Sequence, residues 1–428
     1  MGKFPHDAVV QLLVQLAVML LAARLFAEIA RRLKQPGVVG EIVAGILLGP
    51  TVMGMIEPGW FEALFPTGTA SGVVLTGMVQ VAVVMLLFVG GLEVDLHVVW
   101  QQGKTAIVTS LFGLVIPFSL GFIFPYYFPH FFGFADNYTV TIFALLMGTA
   151  MAITALPVIV RILMDTNLFK SKIGLLVVSS AMIDDVIGWL IFSLILGMIG
   201  KGGHGMPIIS TVILTLAFTG IMLTVGRGVI NKILPWLNKN LAWPGGILAF
   251  SLALCFLGAS FTEFIGIHAV FGAFIIGVCV GDSEHFSERA KEIVHQFINN
   301  IFAPLFSVSI GLRVNFFTNF DPWLTLVIIL IAFVGKVVGC GLGTLLGGAT
   351  WREALASGFG MNARGAMEII LGIVALENGL INEKVFVSLV IMALVTSMTA
   401  GPLMKKFLSL PNSPTSTPVS PTPARGQP

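Results

Sequence analysis

Charge is what this sequence has least of. Only 10% of its 428 residues are Asp, Glu, Lys or Arg, against about a quarter in a water-soluble chain. So few charges cannot cover the surface of a soluble protein this long. Cysteine is nearly missing too. Cys255, Cys279 and Cys340 sit far apart inside apolar segments, with no CxxC pair and no histidine at ligand spacing. They read as small packed residues rather than a disulfide framework or a metal site. No basic run interleaved with aromatics is present, so a formal net charge of +2 gives no reason to expect nucleic acid. HExxH and Ser/His constellations are absent as well, which leaves no seat for hydrolysis. The chain reads as no enzyme, with no cofactor.

Apolar residues fill the space that charge leaves: 56% of the chain, for a mean hydropathy of +0.97. Runs near the roughly 20 residues that a bilayer-crossing helix needs fall at 9–31, 36–56, 73–93, 104–128, 138–164, 170–200, 208–231, 244–263, 266–283, 298–318, 322–349, 352–378 and 384–408. These are thirteen spans of an all-α integral membrane protein, with the lipid bilayer as its solvent. Basic residues test the count independently. Of the 23 lysines and arginines, seventeen fall in one set of alternate loops. The other set holds only Lys3, Lys201, Arg313 and Lys384, and Lys336 and Arg364 lie within spans. That asymmetry puts the amino end outside and the carboxyl end in the cytoplasm. The first run contains Arg24 and Glu28 and ends in Arg31 and Arg32, the reverse of the charge order in a cleavable signal. It reads as a retained span. Segment 284–297, EHFSERAKEIVHQF, reads as a cytoplasmic amphipathic helix, and the Pro/Ser/Thr-rich stretch 409–428 as a disordered cytoplasmic tail.

A few charged residues stand where lipid depth makes them costly, by about 2.5–3.5 kcal/mol each on insertion scales. Asp184 and Asp185 lie halfway along 170–200. Neighbours on a helix point about 100° apart, so these carboxylates cannot share one proton as an aspartic-protease dyad does. They need different partners. A lone aspartate at this depth is often just packed and satisfied; in an adjacent pair one can face a charged neighbour on another helix while the other faces an aqueous cavity, which favours a functional role. Lys336 is the one basic residue near the middle of 322–349 and is the natural mate for one of them. Their pair is either a staple between two helices or, by breaking and re-forming, a proton switch. Arg364 and Glu368 lie four apart in GMNARGAMEIILG, a spacing at which they meet on one helix. They read as structural charges, with Arg364 neutralising carbonyl groups where the helix unwinds.

Breakers interrupt two of the spans: Pro157 after Thr154 in 138–164, and Gly360, Asn362 and Gly365 in 352–378. Interrupted helices at corresponding positions of two halves point to a transporter's binding site. Thr154 and Asn362 are then candidate oxygen ligands. On this reading 138–164 corresponds to 352–378, and 170–200 to 384–408. Glu41, Glu93, Asp95 and His97 fall near cytoplasmic helix ends, as interfacial residues or as a funnel that attracts cations or senses pH.

Six stretches together carry a resemblance: PGVVGEIVAGILLGP (36–50), FVGGLEVDL (88–96), TALPVIVRIL (154–163), AMIDDVIGWL (181–190), IGLRVNF (310–316) and NARGAMEII (362–370). As an ordered set they resemble the monovalent cation:proton antiporters, above all the bacterial sodium/proton type with paired aspartates. The later motifs are also similar to plant and fungal potassium/proton exchangers. The resemblance implies a thirteen-helix fold of inverted repeats, in which two interrupted helices cross in a mobile core domain. That core (within 104–200 and 322–408) slides against a dimerisation domain (within 9–93 and 208–318), and the exchanger is a homodimer. It further implies that Asp185 binds cation and proton in turn, with Asp184 beside it and Lys336 paired to Asp184. Electroneutral members typically carry Asn where this chain has Asp184, which implies electrogenic exchange. The expected function is secondary active transport by alternating access, exchanging sodium, or alternatively potassium, for protons in a bacterial inner (plasma) membrane. A cation channel or an ion or pH sensor on the same fold is the rival reading. An intramembrane aspartyl protease fits poorly, because its two carboxylates must face each other from separate helices.

Overall fold

With no water in reach, an apolar run has to satisfy its own backbone N–H and C=O groups, and a helix does so within one segment. Helix is accordingly the only extended regular structure among the described residues, beside a single antiparallel bridge between Phe134 and Ile381. The computed structural model describes residues 5–408 except 34, 67, 95, 135–137, 166, 167, 170, 199–207 and 266. The tail 409–428, Asp95 and the side chain of His97, singled out above, lie outside the described residues.

In chain order the helices are α1 (His6–Arg32), α2 (Gly37–Leu48), α3 (Met53–Ile56), α4 (Pro58–Leu64), α5 (Ala70–Leu92), α6 (Leu96–Tyr127), α7 (Val140–Ala152), α8 (Leu156–Asp165), α9 (Lys172–Met198) and α10 (Ile208–Ile221). There follow α11 (Arg227–Asn240), α12 (Gly245–Phe264), α13 (Ala269–Gly281), α14 (Glu288–Phe297), α15 (Ala303–Arg313), α16 (Pro322–Leu346), α17 (Trp351–Gly360), α18 (Ala366–Glu377) and α19 (Glu383–Leu408). Several starts are set by local side chains: Thr139 caps α7, Ser287 caps α14, Asp321 caps α16, and Thr350 with Glu353 forms a capping box on α17.

Among the described residues, ten of the predicted spans are helical segments long and apolar enough to cross a membrane. The other three are α13, only 13 residues long, and the two interrupted segments, which become α7–α8 and α17–α18. Two boundaries differ from the sequence reading. Segment 284–297 is helical over Glu288–Phe297, as expected, but it is continuous with the next span: α14 runs through a π-helical turn, Ile298–Phe302, straight into α15. Pro304 at the start of α15 has no N–H to give, and the wider turn just before it takes up the mismatch. The predicted span 208–231 likewise continues through a second π turn, Met222–Gly226, to Asn240.

Small residues decide which helices lie closest, because lipid supplies no hydrophobic drive between them. On α16, Gly335, Gly339 and Gly343 recur every four residues against Pro117, Phe112 and Thr109 of α6. A Cβ at Gly339 would stand 2.5 Å from the Phe112 carbonyl oxygen, so α16 rests directly on the α6 backbone. α2 meets α15 in the same way through Gly45, Gly49 and Gly311. Helices α6, α7, α9, α16, α17 and α19 pack on one another, and α1, α2, α5, α12, α13 and α15 form another set of mutual contacts. A cavity of about 970 Å³ opens where the sets face each other. Leu87 and Val89 of α5 and Ala303 and Phe306 of α15 line one wall; Val158 of α8, Met367 and Ile370 of α18 and Ser397 of α19 line the other. Arg31 and Lys405 stand at this cavity, which marks its mouth as the basic side of the molecule.

Candidate functional site

The site begins with two helices that stop in mid-protein. α7 ends at Ala152 and α8 resumes at Leu156. Pro157 cannot donate to the carbonyl four residues earlier, so Ile153 loses a helical partner there. The facing break, Met361–Gly365, separates α17 from α18. The breaks meet backbone to backbone: the Ala155 N–H donates to the Ala363 carbonyl at 3.0 Å. Arg364 lies in this second break rather than on the helix with Glu368, which corrects the sequence reading. From there its guanidinium, wholly buried, donates to the carbonyls of Ala150 (2.8 Å), Ile153 (3.3 Å) and Met151. A positive group thus covers the negative end of α7, as the helix dipole favours. Glu368 caps the other end of the crossing, accepting from the Gly365 N–H at 2.7 Å and standing 3.7 Å from Arg364. Ser397 of α19 pins Arg364 by accepting from its N–H (3.2 Å) and donating to its carbonyl.

Asp184 and Asp185 sit on α9 beside this crossing, where Gly188 abuts Ile153 of the first break. Both are fully buried, and their surroundings are opposite. Asp184 accepts from Ser110 Oγ (2.5 Å), Thr154 Oγ1 (3.3 Å) and Lys336 Nζ (2.6 Å). Lys336 spends its other two donors on the carbonyls of Gly113 (3.0 Å) and Ala152 (2.6 Å), the latter being the last residue of α7. One ammonium therefore ties α6, α7, α9 and α16 together with all three protons placed. Among the described residues, neither oxygen of Asp185 has a hydrogen-bond partner. The Asn362 amide, 1% exposed in the second break, is equally without partners on both its atoms. Thr154 is committed to Asp184, so of the two candidate oxygen ligands only Asn362 is unengaged.

Glu41 and Glu93 both line the cavity, and so sit on its approach rather than in the crossing. Glu93 is the residue just past the α5 span; burial pushes its carboxyl up to about 7, while Lys291 pulls the other way. His295 of α14 stands 3.6 Å from it. The residues that sequence reasoning missed are hydroxyls and carbonyls: Ser110, Ser397, and the backbone of Gly113 and Ala152. Hydroxyls are ordinary in membrane helices, and a carbonyl leaves no mark in a sequence, so no signal there was available.

Comparison of the whole chain with known proteins shows its family. The family profile for the transmembrane sodium/hydrogen exchanger matches residues 17–409. The chain belongs to the sodium/hydrogen exchanger family. It is 31% identical over 403 residues to the Na(+)/H(+) antiporter NhaS4 of Synechocystis, covering 94% of this chain and 98% of that one. It is 27% identical to the Na(+)/H(+)-K(+) antiporter GerN of Bacillus cereus, over 91% of this chain and 95% of that protein. K(+)/H(+) antiporter 1 of Saccharomyces cerevisiae is 30% identical over 91% of this chain, which spans 46% of that longer protein. Among solved structures, the sodium proton antiporter MjNhaP1 from Methanocaldococcus jannaschii matches with a TM-score of 0.65 at 16% identity, over 94% of this chain and 97% of that one. The exchanger therefore has the antiporter fold that its motifs predicted, and its family places it among transmembrane transporters rather than enzymes.

Proposed function

We propose that this exchanger moves a monovalent cation across a bilayer in return for protons, by alternating access, and that Asp185 is the group that holds one or the other. One observation carries the reading: of two adjacent buried aspartates, Asp184 has every near donor and Asp185 has none. A bare carboxylate at this depth is costly. It is relieved by a proton or by a cation, and a carboxylate cannot hold both tightly. Competition for one acceptor is what couples the two flows.

The ion enters from the basic side, which is cytoplasmic by the excess of lysine and arginine, through the cavity between the two helix sets. It loses water against Asp185, with the Asn362 amide and the unwound backbone of the breaks offering further oxygens. Its charge loosens the Lys336–Asp184 pair. Lys336 then releases Asp184 or its own proton, which allows two protons per cation and an electrogenic cycle. The set built on α6–α9 and α16–α19 acts as the mobile core. The set built on α1, α2, α5, α12, α13 and α15 is the scaffold and the dimer face, in a protein of thirteen spans with inversely related halves. With a proton or cation aboard the site is near neutral and crosses. An empty, ionised Asp185 crosses poorly because of its desolvation penalty, which prevents a leak. Sodium is the first candidate ion and potassium the second, given relatives named for each; the setting is a bacterial inner membrane.

Asp185→Asn should abolish cation uptake driven by a pH gradient in proteoliposomes, whether Na⁺, Li⁺ or K⁺ is offered. Exchange retained above a tenth of the wild-type rate would refute the assignment.

A further inference from the structure

α15 and α18 run side by side, and their two ends behave differently. At their starts, Ala303 and Phe306 stand across the cavity from Met367 and Ile370. At their last residues, about 15 Å further on by helical rise, the Arg313 guanidinium donates to the Glu377 carboxylate. The helices are parted on the basic side and joined on the other. Asn319, just beyond α15, adds a bond from its amide to Glu383 at the start of α19 at 2.6 Å.

Neither end residue is placed as its own helix alone would ask. Arg313 suits the negative carboxyl end of α15, but Glu377 sits at the same end of α18, where a carboxylate is disfavoured. Glu377 gains there only from a partner on another helix. The two side chains are 23% and 36% exposed, and a pair so open to solvent adds little to static stability. It is suited to breaking.

A row of buried polar groups on α9 heads toward the same face. α9 leaves the basic side just after Met164, which lines the cavity, so its later turns approach the opposite face. Trp189 and Ser193 follow Asp185 at four-residue intervals along one stripe of that helix. Both are at most 2% exposed, and the Trp189 Nε1 and Ser193 Oγ are unpartnered. The Trp189 ring lies 6.3 Å, centroid to centroid, from Phe274 of α13. Polar groups buried without partners in this row fit a route that is wet in another state of the protein.

We infer that Arg313 and Glu377 form the clasp that shuts Asp185 off from the side opposite the cavity, and that Trp189 and Ser193 line the route it closes. The clasp must break for an ion to leave there. This rests on the alternating-access reading above.

The test uses Met398→Cys, a cavity position that is 37% exposed, and separately Ser193→Cys, with the three buried native cysteines as background. A membrane-impermeant maleimide is applied to vesicles of either orientation. In the parent, Met398→Cys should label quickly from the basic side and Ser193→Cys slowly from the opposite one. Arg313→Ala or Glu377→Gln should slow the first at least threefold and speed the second by as much. The charge-reversed double variant Arg313→Glu/Glu377→Arg should restore both rates, which a misfolded protein would not do. Equal rates across the set, or no restoration by the reversed pair, would overturn the clasp. Exchange by the parent in liposomes is read alongside: its absence counts against the transport reading, whereas exchange with unmoved labelling counts against the clasp alone.

Discussion

At the residue scale, the difference between two neighbours on α9 is a matter of who reaches them. Asp184 is met by Lys336 and two hydroxyls, while Asp185 is met by no donor. Lys336→Ala would leave Asp184 with hydroxyls only and strip the Gly113 and Ala152 carbonyls of their shared donor. Removing one partner of a buried pair costs about 3–5 kcal/mol, so the variant should unfold at a clearly lower temperature and carry less charge per cycle under voltage. An unchanged unfolding midpoint would show that the pair is not holding α6, α7, α9 and α16 together. These charges were legible in the sequence because so few exist: any Asp or Lys in the middle of an apolar run stands out. Which aspartate Lys336 takes was not legible from residues alone, since it depends on the close approach of α16 to α6. The Arg364–Glu368 spacing misled in one respect. The pair does meet, at 3.7 Å, but across a break rather than along a helix.

At the scale of elements, glycine and proline do most of the placing. Gly339 sits so near the Phe112 carbonyl that even Gly339→Ala overpacks the α6–α16 contact. A destabilisation of about 1–3 kcal/mol is expected, read as a drop in thermal unfolding midpoint, with Lys336 drawn away from Gly113. No drop would mean that the helices can part without loss. Glu93 offers a pH-dependent test at the end of α5. Its folded value of about 7 lies above the ordinary 4.5, so the folded state holds this proton more tightly than the unfolded chain. Its contribution is therefore fully present below about pH 4.5 and is lost as pH rises through about 7, by at most about 3 kcal/mol. Glu93→Gln carries no such charge and should gain on the wild type between pH 5 and pH 8 in thermal unfolding; a constant difference would contradict the placement of Glu93. Both helix interruptions were legible from Pro157 and from the Gly360–Gly365 stretch. The join of α14 to α15 was not, since a polar amphipathic segment looks the same whether it lies apart or runs on as helix.

For the whole molecule, apolar runs and the bias of basic residues outlined the spans, and among the described residues ten are long and apolar enough to cross. What they left open was which helix lies beside which. Helices apolar all round present no face that selects a neighbour, and only small residues such as Gly45 and Gly311 do so, at positions that look unremarkable in sequence. The cavity between the two sets follows from that packing and could not be read beforehand. It gives the proposed exchange its direction of entry, and the buried, unpartnered Asp185 gives it a reason for coupling. The most direct test is to count protons as the cation binds. Purified protein in weakly buffered detergent solution, with a pH-sensitive dye, is given NaCl or KCl at constant ionic strength. The wild type should release one to two protons per cation bound, and Asp185→Asn should neither bind the cation nor release protons. Cation binding with no proton released, or release undiminished in Asp185→Asn, would contradict competition at this carboxylate.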